Sequence, residues 1–197
     1  MQPFDRVTGI AAPMPRPNID TDVIMPKQFL KRIDREGLAQ GVFHDLRRKD
    51  GEEDPAFILN RPDYRNARFL VTGANFGCGS SREHAVWGLL QTGIRAIVAP
   101  SFASIFFGNC EKNGLLAITL PAEVVGVILD VVGNPQMMEM TVDLERQRID
   151  LADGRSIAFE IDPGRRETLL SGRDHIAATL EYAEAIRAFE AAHLQQG

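Results

Sequence analysis

The chain has 197 residues, 44% of them hydrophobic and 25% charged, which is enough apolar material to bury a core and too much for a disordered segment. A net charge of -5 without a dense Lys/Arg stripe argues against nucleic acid, which needs many basic contacts on one face. The most apolar stretch, Val124 to Val132, is too short to span a bilayer, and the opening residues lack the basic and apolar regions of a signal peptide, so a cytoplasmic location away from membranes is expected.

Residues 4–10 form a short apolar segment. Pro13, Pro15 and Pro17 then punctuate an extended stretch that leads to Asn18-Ile19-Asp20-Thr21-Asp22, an ordered loop. From Pro26 to Pro62 the sequence is charged, with scattered apolar residues such as Phe29, Leu30, Ile33, Leu38, Val42 and Phe43. This is the pattern of short helices or a surface excursion, closer to a lid than to a core. Within it Arg47, Arg48 and Lys49 form the one notable basic run; Asp50, Glu52, Glu53 and Asp54 follow at once, and the stretch reads as a solvated loop.

A compact core begins with a buried strand at Phe69–Thr72, a glycine-rich loop, a helix of about Ser81 to Thr92, and a second buried strand at Ala96–Ala99. Together they make a βαβ unit with parallel strands and a right-handed crossover. Ser101–Asn109 reads as a short helix with Phe102, Ile105 and Phe106 on one face, and Leu115–Leu120 as a third strand. Pro121–Val132 reads as a helix with Pro121 in an early helical position. Beyond Asn134-Pro135, short strands are expected at Met140–Leu144, Arg148–Leu151 and Ser156–Ile161. Asp153-Gly154 turns the last two into a hairpin, and the three form an antiparallel appendage. The tail from about Asp174 to Leu194 has helical spacing and predicts a C-terminal helix or helix pair, an extension of a single domain over 1–197.

The chemistry is expected between Asn75 and Ala85, in Asn-Phe-Gly-Cys-Gly-Ser-Ser-Arg-Glu-His-Ala. A strand, a tight loop and a helix in succession aim backbone N–H groups and the positive end of the helix dipole at one point, which favours an anion. Folding alone explains part of it: Ser80 and Glu83 have the spacing of a capping box. It does not explain Arg82, a cation beside the positive end of the dipole, which calls for an anionic partner: either a protein carboxylate such as Asp22 or a ligand. The dinucleotide pattern Gly-x-Gly-x-x-Gly would need glycine where Arg82 stands, and no Gly-Lys-Ser/Thr follows. Carboxylate binding is favoured, with Gly79 allowing close backbone approach and Arg82 offering a bidentate fork. Backbone donors, a helix N-terminus and a guanidinium also favour an alkoxide in a dry site, so either Ser80 or Ser81 acts as a base. His84, one turn after Ser80, reads as completing the hydrogen bonding of the loop. Cys78 and Cys110 are too far apart for a Cys-x-x-Cys motif and too few to hold an iron–sulfur cluster, so no metal site is expected on this chain; Cys78 reads as a small residue packed beneath the loop.

The glycine-rich segment resembles the signature of the swivelling C-terminal domain of the aconitase superfamily. Asn18-Ile-Asp-Thr-Asp-Val-Ile, Ala99-Pro-Ser-Phe-Ala-Ser-Ile-Phe-Phe-Gly-Asn and Ser171-Gly-Arg-Asp-His-Ile extend the likeness, and the chain is similar to the bacterial small subunits of 3-isopropylmalate dehydratase. The resemblance implies an α/β fold, a swivelling β/β/α domain with a parallel βαβ core and peripheral antiparallel strands. It implies a large-subunit partner that carries a [4Fe–4S] cluster, and a small dicarboxylate substrate: 2-isopropylmalate and 3-isopropylmalate, interconverted through 2-isopropylmaleate. By motif position it makes Ser80 the base, gives Ser81 and Arg82 a substrate carboxylate, and gives Asp22 an orienting or proton-relay role. The segment after Asp22 corresponds to the substrate-selecting loop, where Phe29 and Leu30 offer an apolar surface to an isopropyl group, or Lys31 or Arg32 would instead meet a further carboxylate of an aconitase-like substrate. Arg173-Asp174-His175 departs from the family's usual Leu-Asp-Asp, which leaves room for a homoaconitate-type or methylmalate/maleate-type substrate. A reading of another class is a non-catalytic anion-binding or regulatory module.

Overall fold

The computed structural model describes residues 1–30, 37–80, 82–172 and Arg187. The strands are β1 (Arg6–Met14), β2 (Arg48–Lys49), β3 (Glu52–Glu53), β4 (Phe69–Thr72), β5 (Ala96–Ala99), β6 (Leu116–Thr119), β7 (Glu139–Asp143), β8 (Arg148–Leu151) and β9 (Ser156–Ala158). The helices are α1 (Thr21–Ile24), α2 (His44–Arg47), α3 (Glu83–Gln91), α4 (Ser104–Asn113), α5 (Ala122–Val132) and α6 (Pro163–Ser171). Seven strands form one sheet in the order β6-β5-β4-β1-β7-β8-β9, and β2 and β3 pair separately.

β1 joins two halves of different character. Its residues 11–14 run parallel to β4, from Ala11 opposite Phe69 to Met14 opposite Thr72, whereas residues 6–10 run antiparallel to β7, from Arg6 opposite Asp143 to Ile10 opposite Glu139. The N–H of Ala11 donates to the Met138 carbonyl at 2.8 Å, so with a period of two the nitrogen of Pro13 faces the same side, beyond the last rung with β7. A proline is tolerated there because no acceptor awaits a donor. The antiparallel strands are therefore a direct continuation of the sheet and not the appendage expected from sequence. The rungs that fuse them to β1 join residues far apart in the chain, which local patterning cannot reveal.

Alternation also sorts the core. Ala12, Leu70, Ile97 and Ala117 point to one side, where α3 contributes Ala85, Val86 and Leu89 and α4 contributes Phe106 and Cys110. Ala11, Phe69, Val71, Ala96 and Val98 point to the other, against Val125, Ile128 and Val132 of α5. Every residue of β4 and β5 is buried, as strands covered on both faces require. Each large apolar side chain so buried contributes about 1.5–3 kcal/mol.

The stretch from Pro26 to Pro62 departs from the lid expected of it. Its Leu38, Val42, Phe43 and Leu59 are buried in the same cluster as α3, and just before it Met25 packs on α3, where a Cβ at Gly88 would lie 2.4 Å from Met25 Cε. The run Arg47-Arg48-Lys49 closes the short β2–β3 hairpin, in which Arg48 faces Glu53 and Lys49 faces Glu52. The second core helix, α4, begins at Ser104, not Ser101, because Phe102 is held in an extended bridge to Phe76. Pro121 caps α5 from outside its first turn. The helical tail expected over 174–194, apart from Arg187, and the Arg173-Asp174-His175 triplet lie outside the described residues.

Candidate active site

Three loops leave the C-terminal ends of neighbouring parallel strands: residues 15–20 after β1, 73–82 after β4 and 100–103 after β5. Backbone bonds weave them together. Asn18 N–H donates to the Ala74 carbonyl (2.9 Å), Gly77 N–H to Ile19 (2.7 Å), Thr21 N–H to Cys78 (2.9 Å), Phe76 N–H to Ser101 (3.1 Å) and Ala103 N–H to Phe76 (3.0 Å). Side chains complete the weave: Asn75 Nδ2 donates to Asn18 Oδ1 at 2.8 Å, and Asn75 N–H donates to Ser101 Oγ at 2.9 Å. Such a bonded web at the carboxyl ends of parallel strands is where open α/β sheets bind ligands.

The glycines are required by this geometry. Gly77 has φ +76°, and a Cβ there would stand 2.2 Å from Phe106 Cγ; a Cβ at Gly73 would stand 2.6 Å from the backbone of Pro15 and Pro17. The first loop then turns into α1, whose N-cap Asp20 accepts the Val23 N–H at 2.8 Å. The ordered loop expected through Asp22 is thus half helix.

This turn delivers two neighbours to the glycine-rich loop. Thr21, 1% exposed, donates its hydroxyl to the Ser80 carbonyl while its N–H holds Cys78. Asp22 forms an ion pair with Arg82, whose side chain is only 13% exposed. The structure therefore provides the protein carboxylate as the counter-ion of Arg82. The pairing is chemically sensible, because Arg82 occupies the N-cap of α3 with no side-chain cap bond, and the carboxylate offsets a cation placed beside the positive end of the helix dipole. A guanidinium has five donors, so this pairing leaves capacity for a second anion. Ser80 is exposed in the bend beside it, and Gly79, at φ +85°, lies against Asp20. Ser81, Lys31 and Arg32 lie outside the described residues.

The capping box does not form. α3 starts at Glu83, and Glu83 Oε1 accepts from Asn113 Nδ2 of α4 at 2.8 Å, while Asn113 Oδ1 accepts from Trp87 Nε1 at 2.8 Å. Glu83 and Ser80 have capping-box spacing, but a better partner thirty residues away takes the carboxylate. His84 likewise lies against the Trp87 ring, with centroids 4.8 Å apart, instead of bonding into the loop. Phe29 and Leu30 are half-buried at the turn after α1 and pack on the core, the Phe29 ring 5.0 Å from that of His44. Thr21 and Asn113 were not singled out by sequence, and no local signal marks them, since their partners Ser80 and Glu83 lie far along the chain.

Cys110 is buried in α4, where burial pushes its thiol far above the ordinary range, and Cys78 is half-buried. Among the described residues no three His, Cys, Asp or Glu side chains converge to hold a metal ion. Among the same residues no helix is long and apolar enough to cross a membrane.

Comparison with known proteins gives this arrangement a context. The aconitase C-terminal domain family matches residues 1–123, and the LeuD_N family matches residues 129–163. Similar curated proteins are the 3-isopropylmalate dehydratase small subunits of Cereibacter sphaeroides (53% identical over 191 residues, 96% of this chain and 95% of that one) and Dinoroseobacter shibae (54% over 192 residues, 97% and 96%). That of Rhodospirillum rubrum is 55% identical over 191 residues, 96% of this chain and 92% of its own. Among solved structures, the 3-isopropylmalate dehydratase of Methanocaldococcus jannaschii matches with a TM-score of 0.68 at 26% identity, over 94% of this chain and 99% of that one.

Proposed function

The chain belongs to the aconitase C-terminal domain family, among the 3-isopropylmalate dehydratase small subunits, and from that premise we propose that its woven loops are the half of a hydro-lyase active site that a large subunit completes. The reaction is the interconversion of 2-isopropylmalate and 3-isopropylmalate in leucine biosynthesis. The observation that supports this reading is the Asp22–Arg82 ion pair, formed between two loops beside the bend that carries the exposed Ser80. A [4Fe–4S] cluster on the large subunit supplies a Lewis acid for the substrate hydroxyl and carboxylate. This chain supplies the proton chemistry and one carboxylate site.

Ser80 Oγ removes the carbon-bound proton when hydroxide leaves, and returns it to the neighbouring carbon on rehydration. Its alkoxide is favoured by the adjacent guanidinium and the helix N-terminus once a covering partner excludes water. Arg82, oriented by Asp22, binds a substrate carboxylate with its remaining donors, and Ser81 and the Gly79 backbone complete that contact. Leu30 takes the isopropyl group, whereas Phe29 lines a cavity at the other end of α3. The cytoplasm, where the pathway's soluble enzymes work, is the place we assign to it.

Ser80→Ala is the test. With the large subunit added, the variant is expected to lose about 10²–10⁴-fold in kcat. Its melting temperature and its capture of the large subunit should stay unchanged. Near-normal turnover would remove Ser80 from the mechanism.

A further inference from the structure

A cavity of about 580 Å³ opens at the far end of α3. Its lining includes Arg47, Arg48, Arg65, Glu53, Phe29 and Thr92. Thr92 closes the C-terminal end of α3 whereas Arg82 opens its N-terminal end, so the cavity stands roughly one helix length, ~14 Å, from the glycine-rich loop. Asp22, Ser80 and Arg82 do not line it.

Its charge is unbalanced. Three guanidiniums face one carboxylate, and Glu53 is already engaged by Arg65 Nη2 at 3.0 Å and lies across the β2–β3 ladder from Arg48. Arg47 is fixed from behind: its Nε donates to Asn60 Oδ1 at 2.9 Å, and the buried Asn60 amide returns bonds to the carbonyls of Arg47 (2.7 Å) and Asp54 (2.8 Å). The guanidinium of Arg47 is thus held in place through its Nε. Burial lowers its pKa, Arg65 and Arg48 lower it further, and Glu53 opposes them. Phe29, tilted against His44, adds an apolar wall. The volume falls in the range of metabolite sites and exceeds what a bare oxyanion fills.

We propose that this cavity binds a small organic dianion, its charges carried by two carboxylates or by a phosphate, at a site separate from the glycine-rich loop. Arg47 and Arg65 clamp the charged end as bidentate forks, and the body of the ligand lies along Phe29. The basic run of the sequence then has a use beyond solvation.

Isothermal titration of the full-length chain with isopropylsuccinate and, separately, with inorganic phosphate tests this. Wild type and Arg82→Gln should bind at least one probe saturably, and Arg65→Gln and Arg47→Gln should bind it about tenfold more weakly or worse. Arg65 is more than half exposed, so its variant reports on binding even if loss of the Arg47–Asn60 bond disturbs the fold. Tighter binding of isopropylsuccinate identifies an organic diacid as occupant, and tighter binding of phosphate a phosphorylated one. Two results would overturn the site: no saturable binding of either probe by about 10 mM, which together with loss of large-subunit capture in Arg65→Gln would make the face a protein contact; or weakening by Arg82→Gln in place of the Arg47 and Arg65 variants.

Discussion

The two halves of the sheet end their strands in opposite ways. In the antiparallel half each turn carries a local side-chain bond: Asn134 Oδ1 accepts from Gln136, Asp143 Oδ1 from Arg146 and Asp153 Oδ1 from Arg155, each within two or three residues. In the parallel half the corresponding bonds cross between loops, from Asn75 to Asn18, Asn75 to Ser101 and Thr21 to Ser80. Local turns stabilise themselves and leave nothing to aim. Woven loops fix side chains from distant segments relative to one another, which is the positioning the proposed proton transfer calls for.

The contrast is open to attack through glycine. Gly77→Ala combines a left-handed φ with a Cβ driven into the Phe106 ring, and should cost about 2–5 kcal/mol. Gly154→Ala, at φ +89° in the β8–β9 turn with open space around it, should cost only about 1–2 kcal/mol. Denaturant midpoints of the two variants measure the difference. Equal losses would mean that the woven loops are no more constrained than a free hairpin.

Charge pairs sharpen it. Asp22→Asn leaves the largely buried Arg82 without its counter-ion, and a loss of about 1–3 kcal/mol is expected, accompanied by a rise in KM in the reconstituted complex. Arg148→Gln breaks the more exposed pair with Asp150 in the other half and should cost less than about 1 kcal/mol, with KM unmoved. A KM that ignores Asp22→Asn would detach the pair from substrate binding.

What sequence could reveal follows the same division. The βαβ unit, the Asp153-Gly154 hairpin and the strand Arg148–Leu151 were readable because period, apolar runs and turn residues are local signals. Arg82 betrayed its need for an anion through the helix dipole alone, since the mismatch is visible within one turn. That Glu83 would bond to Asn113, that β1 would carry β7, and that Met25 and Phe43 would be core depends on which distant segments meet. Capping-box spacing is a local preference, and here tertiary packing overrides it.

The smallest effect isolates the local kind of stabilisation. In the antiparallel half Ser156 Oγ donates to Asp150 Oδ1 at 2.7 Å, and this bond, ahead of Arg148 and Arg6, holds the Asp150 carboxyl below its ordinary value of 3.8. A carboxyl whose pKa is depressed on folding contributes stability that is present above the unfolded pKa and lost as pH falls through the folded one. Ser156→Ala should therefore lower the melting temperature at neutral pH by the equivalent of less than about 1 kcal/mol, since the pair is partly solvated. The gap between variant and wild type should close as pH falls through the folded pKa of Asp150, which lies below 3.8, because both proteins then protonate it. A gap that stays constant down to about pH 3 would assign the effect to packing of Ser156 instead of to its bond with the charged carboxylate.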